Sequence, residues 1–271
     1  MDFEAPWPVA TETTAGSVLV RELASLSLPE RETQLEAWFV EGRLPQFLRA
    51  LVRLTLTGLD ARGRERTLSL QALPDYLAIG TDEDHVRVPM SPRLAQVLAN
   101  RWKLVLPTPR LVDELHARAA TRLDAHPLAY KHQKIETLDA VLEHEALVAA
   151  ERLAKLGQAP LGALVAGHKK DIVLTTQLAR PEHQGRVAVY GWHGHGDRAQ
   201  QGLSLVRTAD YVEYAHALRL LAPQCEVDGR PFALREVMQD AALHKLVSDE
   251  GPVPTTLGYP TRWQPMRTRR R

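Results

Sequence analysis

His168, Asp171, His193, His195 and His216 fall within a single stretch of this chain, interleaved with Lys169, Lys170, Tyr190, Tyr211 and Tyr214. An imidazole with an unperturbed pKa of about 6.5 both takes and gives a proton at neutral pH, and its neutral ring binds metal ions. Three readings fit these residue types. In the first, His193 and His216 do general acid–base work. Asp171 orients a ring, and Lys169, Lys170, Tyr190, Tyr211 and Tyr214 contact the substrate and stabilise developing negative charge. In the second, His168, Asp171, His193 and His195, with His216 as a further donor, ligate a divalent metal such as zinc that activates water. The His-x-x-Asp and His-x-His spacings allow ligation but match no strong metal signature such as His-Glu-x-x-His. In the third, His193-Gly-His195-Gly is a polar glycine loop and the other rings are hydrogen-bonded interface residues. The residues leave all three open.

The remaining histidines read as structural. His144-Glu145 lies within a predicted helix, where adjacent residues face different directions, so solvated surface is expected. His116 and His244 also fall on predicted helices, with no partner at metal spacing. No Walker-type loop, Gly-x-Gly-x-x-Gly fingerprint or Gly-x-Ser-x-Gly elbow is present, so common nucleotide-binding and α/β-hydrolase chemistry is not indicated.

The elements that must position this block follow from hydrophobic periodicity and capping. Ser27 with Glu30 forms a capping box, opening a helix that carries Leu35, Trp38 and Phe39 and stops at Gly42. Pro45 starts a short second helix. Leu54 and Leu56 alternate with Arg53, Thr55 and Thr57, and Thr67-Leu-Ser-Leu70 repeats that rhythm, so a hairpin is expected across Gly58 to Gly63. Tyr76–Ile79 and His85–Val88 read as another strand pair. Ser91-Pro92 and Thr108-Pro109 each place a capping hydroxyl before a proline at the first helical position. A further helix is expected from about Thr137 to Leu156. Strands are then expected over 171–175, 186–190 and 218–221, a tight turn over 226–231 and a short helix over 232–238.

This pattern predicts an α+β fold, with helices and a small antiparallel sheet in the N-terminal part and a β-rich C-terminal half around the histidines. Residues 1–26 form an irregular arm, 27–125 the helical and small-sheet half, 135–250 the β-rich half with one helix, and 251–271 an irregular tail. His126 to Lys134 is the best internal boundary, and the whole also reads as one continuous domain. The basic end, Arg267 to Arg271, reads as a solvated terminus.

Composition bounds the rest. The 271 residues are 44% hydrophobic and 25% charged, an ordinary globular balance, and 34 basic against 33 acidic side chains argue against a globally basic nucleic-acid binder. The single cysteine, Cys225, excludes an intrachain disulfide framework and cysteine-ligated clusters. Its expected place is a small apolar position beside a turn. The acidic, proline-containing N-terminus does not read as a signal peptide, and no apolar run reaches the roughly 18 residues that span a bilayer. The expected compartment is therefore the cytoplasm, with no membrane partner. Composition does not specify the substrate, small molecule or polymer, or the oligomeric state.

Asp75-Tyr-Leu-Ala-Ile-Gly80, Leu106-Pro-Thr108, Gly167-His-Lys-Lys-Asp171, Tyr190-Gly-Trp-His193, Tyr211-x-x-Tyr214-x-His216 with Arg219-Leu220, and Ser248-Asp-Glu-Gly251 occur in this order. Together they resemble a bacterial protein family to which no activity is assigned, over most of residues 75 to 251. The resemblance implies a pocket around His168 and His193. The chain departs from that pattern in carrying Ala215 and Ala217 around His216 where the family has Ser-His-Gly, and Arg207 where it has another histidine. Ser-His-Gly is also reminiscent of the L,D-transpeptidase motif, but Ala217-Leu218 stand where that enzyme needs its cysteine, which excludes a thiolate mechanism. The leading expectation is a hydrolase-like enzyme with a histidine-centred pocket. The rival is a non-catalytic binding or assembly protein with a degenerate pocket.

Overall fold

The computed structural model describes residues 3, 5–10, 13–129 and 135–262, and has an α+β fold. The capping signals mark helix starts as the sequence predicts. After α1 (Gly16–Glu22), α2 (Leu28–Glu41) begins at the Ser27–Glu30 capping box and ends on Gly42 in the left-handed conformation. The α3 (Pro92–Trp102) and α4 (Pro109–Ala117) helices start after Ser91 and Thr108, whose hydroxyls accept from the backbone N–H groups of Leu94 and Leu111. Thr137 caps α5 (Leu138–Ala154) in the same way, and α6 spans Leu234–Gln239. Pro45 precedes a 3₁₀ turn over Gln46–Arg49.

Two four-stranded sheets carry the core. In the first, β1 (Val52–Leu59) and β2 (Glu65–Ala72) form an antiparallel hairpin, as the alternation of Leu54 and Leu56 with exposed Arg53, Thr55 and Thr57 requires. A short antiparallel pair follows, β3 (Ala78–Gly80) with β4 (His85–Arg87), and then a parallel pair, β5 (Thr121–Arg122) with β6 (Val165–Ala166). The second sheet has the order β10 (His216–Ala217), β7 (Lys170–Ile172), β8 (Val189–Gly191) and β9 (Gln201–Ser204). Its β7 strand is parallel to β10 and antiparallel to β8. The last two strands, β11 (Gln224–Val227) and β12 (Arg230–Ala233), turn on Asp228-Gly229, both at positive φ, the tight hairpin geometry that Asp-Gly favours. They return to the first sheet, where β11 pairs with β2, so that sheet is built from both ends of the chain. Cys225 is buried on β11, and that burial pushes its thiol up to about 12.

Two local expectations are corrected. The stretch read as an irregular arm contains α1, whose Leu19 and Val20 are buried where Gly16 lets the backbone run against β3 and β4. Its seven residues are too short to display a clear helical period. The expected strand over 218–221 is not one: pairing in that region is confined to His216–Ala217 and a bridge from Leu221 to Ala72 and Val105. Arg267 to Arg271 and most of the boundary segment after Ala129 lie outside the described residues. Among the described residues no helix is long and apolar enough to cross a membrane.

His144 and Glu145, expected on a solvated face, are buried instead. Glu145 lies 2.9 Å from Arg87 and 2.7 Å from Lys169, and Arg87 also pairs with Asp75 at 2.6 Å. Two carboxylates thus face two cations in the interior. Burial alone would raise the carboxyl pKa values. Lys169 and Arg87 outweigh it at Glu145, and Arg87 and His168 at Asp75, so both acids are held well below the usual carboxylate range. The His144 Nδ1 is 3.2 Å from the Lys169 Nζ and its Nε2 is 3.0 Å from the Ala125 carbonyl. An ammonium only donates, so Nδ1 accepts from Lys169 and Nε2–H donates to Ala125.

Deleting one member of such a buried set leaves the others uncompensated. Glu145→Ala, which strands both Arg87 and Lys169, is expected to lower unfolding free energy by about 3–5 kcal/mol, read from the urea midpoint. A loss under ~1 kcal/mol would show that the set carries no such coupling.

Candidate functional site

The second sheet determines which groups of the histidine block meet. Successive side chains on a strand point to opposite faces, so Lys170 and Asp171 on β7 face opposite ways. His216 is in register with Lys170, and Tyr190 with Asp171. His216 therefore shares the Lys170 face, while Asp171 and Tyr190 share the other. The expected pairing of His193 with His216 is not formed.

On the Asp171 face, α4 supplies the partners. The His193 Nε2 lies 2.8 Å from Asp113 Oδ1, and the Tyr190 hydroxyl donates to the same carboxylate at 2.9 Å. A carboxylate only accepts, so Nε2 carries the proton and the lone pair is left on Nδ1. His116, one helical turn from Asp113, stacks on the His193 ring at 4.2 Å, and its Nε2 lies 3.1 Å from the Gly194 carbonyl. Burial brings the His116 pKa down to about 4, so that ring is neutral at pH 7. Its Nε2–H donates to Gly194.

Next to this pair, His116, His193, Asp171, Tyr76 and Arg219 line one hollow with Val112 and Leu115. The space is too narrow for a water molecule. The Tyr76 hydroxyl donates to Asp171 Oδ2 at 2.8 Å, and the Arg219 guanidinium lies over the Tyr76 ring at 4.3 Å while bonding the carbonyls of Leu73 and Val165. Asp171 Oδ1 is buried with no hydrogen-bond partner among the described residues. Burial pushes the Asp171 carboxyl up to about 6, against the opposing pull of Arg219, the Tyr76 hydroxyl and His193. The cluster meets solvent at Asp113, whose side chain is 48% exposed, whereas His193 is only 2% exposed.

Backbone conformation aims His193. Gly191, Trp192 and Gly194 all have positive φ, at 113°, 56° and 61°. Gly167, at φ 109°, lies under this turn. A Cβ there would come within 2.5 Å of the carbonyl oxygens of Gly194 and Leu123, so only glycine fits. Gly167 of Gly167-His-Lys-Lys-Asp171 is thus a requirement of close backbone approach, and Gly191 of Tyr190-Gly-Trp-His193 a requirement of its positive φ.

The other expected site residues are placed elsewhere. Lys169 is buried against Glu145 and the Tyr214 carbonyl, so the structure does not offer it to a substrate anion. Lys170 pairs with Glu213, which also accepts from the Tyr211 hydroxyl at 2.8 Å and lies 3.8 Å from the His216 Nε2. Burial brings His216 down to about 4, and its Nδ1 has no partner among the described residues. The buried Tyr214 hydroxyl accepts from the Leu128 N–H. His168 is buried with its Nε2 3.4 Å from Asp75, and burial lowers its pKa to about 4. His195, 54% exposed, reaches Glu151 at 3.1 Å.

The proposed ligand set of His168, Asp171, His193 and His195 is therefore divided among Asp75, the hollow, Asp113 and Glu151. Among the described residues no group of three or more His, Cys, Asp or Glu side chains is arranged to hold a metal ion. Asp113 and His116 are the partners that sequence reasoning missed. Their three-residue spacing on a capped helix was the available signal, since it places them on one face.

The state of Asp171 has a consequence for stability. Its folded pKa of about 6 exceeds the ordinary value of 3.8, so the folded chain binds the proton more tightly than the unfolded chain. Stability from this group is full below about pH 4 and is lost as pH rises toward and through about 6. Asp171→Asn removes that slope. Relative to wild type, the variant should gain about 2 kcal/mol between pH 4.5 and 7.5, measured by urea unfolding at each pH. A difference that stays flat with pH would contradict the buried carboxyl.

Compared with protein-family models, with curated proteins and with solved structures, the chain matches none of them.

Proposed function

We propose that this chain is a hydrolase-like enzyme whose acid–base group is His193, oriented by Asp113, with Asp171 as the second titratable partner. The observation that carries this reading is the Asp171 carboxyl. It is buried, half-satisfied and pushed up to about 6, on the same sheet face as a histidine–carboxylate pair. Such a group costs stability in a fold that could hold an apolar residue there. Displaced titration beside a second acid–base group is a recurrent mark of catalytic sites.

In this scheme Asp113 fixes the Nε2–H tautomer, so the His193 Nδ1 takes a proton from an attacking water. Asp171 is near half-protonation slightly below neutral pH and is suited to returning a proton to the leaving group. Tyr190 steadies Asp113. His116, neutral and stacked on His193, keeps that ring from rotating. The substrate enters on the side of Asp113, where the cluster meets solvent, and the scheme requires the hollow to open, since as it stands it admits no water.

A second reading, a non-catalytic binding or assembly protein, is favoured by one observation: the hollow does not admit a water molecule. Ala215 and Ala217, buried on either side of His216 where the resembled family has Ser and Gly, agree with it.

A panel of chromogenic esters, amides, phosphates and glycosides separates the two. Turnover that falls by about 10²–10⁴-fold in His193→Ala, and falls in Asp113→Asn with the fold retained, supports the enzyme. Turnover unchanged in His193→Ala removes His193, and no turnover on any substrate class supports the binding protein.

A further inference from the structure

Trp192 is a non-glycine residue in the left-handed region, at φ 56°. A bulky side chain there is strained and persists only where its surroundings hold it. Three contacts do so. The Trp192 backbone N–H donates to the Lys169 carbonyl at 3.0 Å, the indole N–H donates to the Ala125 carbonyl at 3.0 Å, and the Lys170 ammonium sits 4.5 Å from the ring centroid. The Ala125 carbonyl also receives His144, so the indole is fastened to the end of the buried charge set. Lys170 is paired with Glu213, so the other side of the ring is tied to the His216 face of the sheet.

The next residue is His193. Its Cα direction, and hence the 2.8 Å contact of Nε2 with Asp113, follows from the Trp192 backbone. We propose that Trp192 is the positioning residue for His193: its anchored indole holds a strained turn so that the imidazole keeps a single tautomer against Asp113. The inference rests on the reading of His193 as the acid–base group only for its bearing on catalysis. The positioning itself is a property of the folded chain.

The test uses the full-length protein with ¹⁵N-labelled histidine. The ring nitrogen shifts of His193 report its tautomer, and Asp113→Asn serves as the control that releases it. Trp192→Gly accepts the positive φ but loses both indole contacts, whereas Trp192→Phe keeps a ring under Lys170 and loses only the indole hydrogen bond. The expected result is one Nε2–H tautomer in wild type, a mixture in Trp192→Gly at least as mixed as in the control, and an intermediate state in Trp192→Phe. A His193 signal identical to wild type in folded Trp192→Phe and folded Trp192→Gly would overturn the proposal. If Trp192→Gly does not fold, Trp192→Phe decides it alone.

Activity gives a separate readout. Where a substrate has been found, Trp192→Phe should lower kcat by about tenfold with KM little changed, as misplacing a catalytic group does. A tautomer change without turnover on any substrate would sink the catalytic reading and leave the positioning role standing.

Discussion

Arg87 lies buried between two carboxylates, Asp75 and Glu145, and Glu145 also holds the buried ammonium of Lys169. Moving any one of these charges out of water unpaired would cost several kcal/mol, so they enter the interior together or not at all. Arg87 comes from β4, Glu145 from α5, and Lys169 immediately precedes β7. Their pairing therefore docks α5 and the second sheet against the β3–β4 hairpin. The apolar residues around them, such as Leu77, Ile79, Val141 and Ile172, supply non-directional burial. The charges supply the direction that apolar contact lacks.

That constraint reaches the candidate site through backbone carbonyls. Lys169 donates to His144, His144 and Trp192 converge on the Ala125 carbonyl, and the Lys169 carbonyl accepts the Trp192 N–H. The turn that carries His193 is thus built on the end of the ionic set. A site whose residues are locked by packing and by hydrogen bonds behind them keeps its geometry more closely than one on a free loop. Asp171 stands at the same junction, with one oxygen held by Tyr76 and the other without a hydrogen-bond partner among the described residues.

The two faces of β7 divide the titratable groups into separate environments. One face joins Asp171, Tyr190 and His193 with Asp113 and His116 of α4. The other joins Lys170, Glu213, Tyr211 and His216. Any acid–base reading must choose one face, because a strand one side chain thick separates them. The unpaired carboxyl oxygen lies on the first, and that is where the chemistry is proposed.

Much of the local structure was legible in the residues. The Ser27–Glu30 box, the Ser-Pro and Thr-Pro starts, the β1 alternation and Asp228-Gly229 in its hairpin turn each depend on neighbours a few positions away, which a sequence displays. Other features were settled only when distant segments packed. Asp113, some 80 residues before His193, became its partner. His144 and Glu145 went inside because Lys169 and Arg87 were there to meet them. His216 and His193, read as one pair, were divided because periodicity gives the direction of a side chain along its own strand and says nothing of which distant element covers that face.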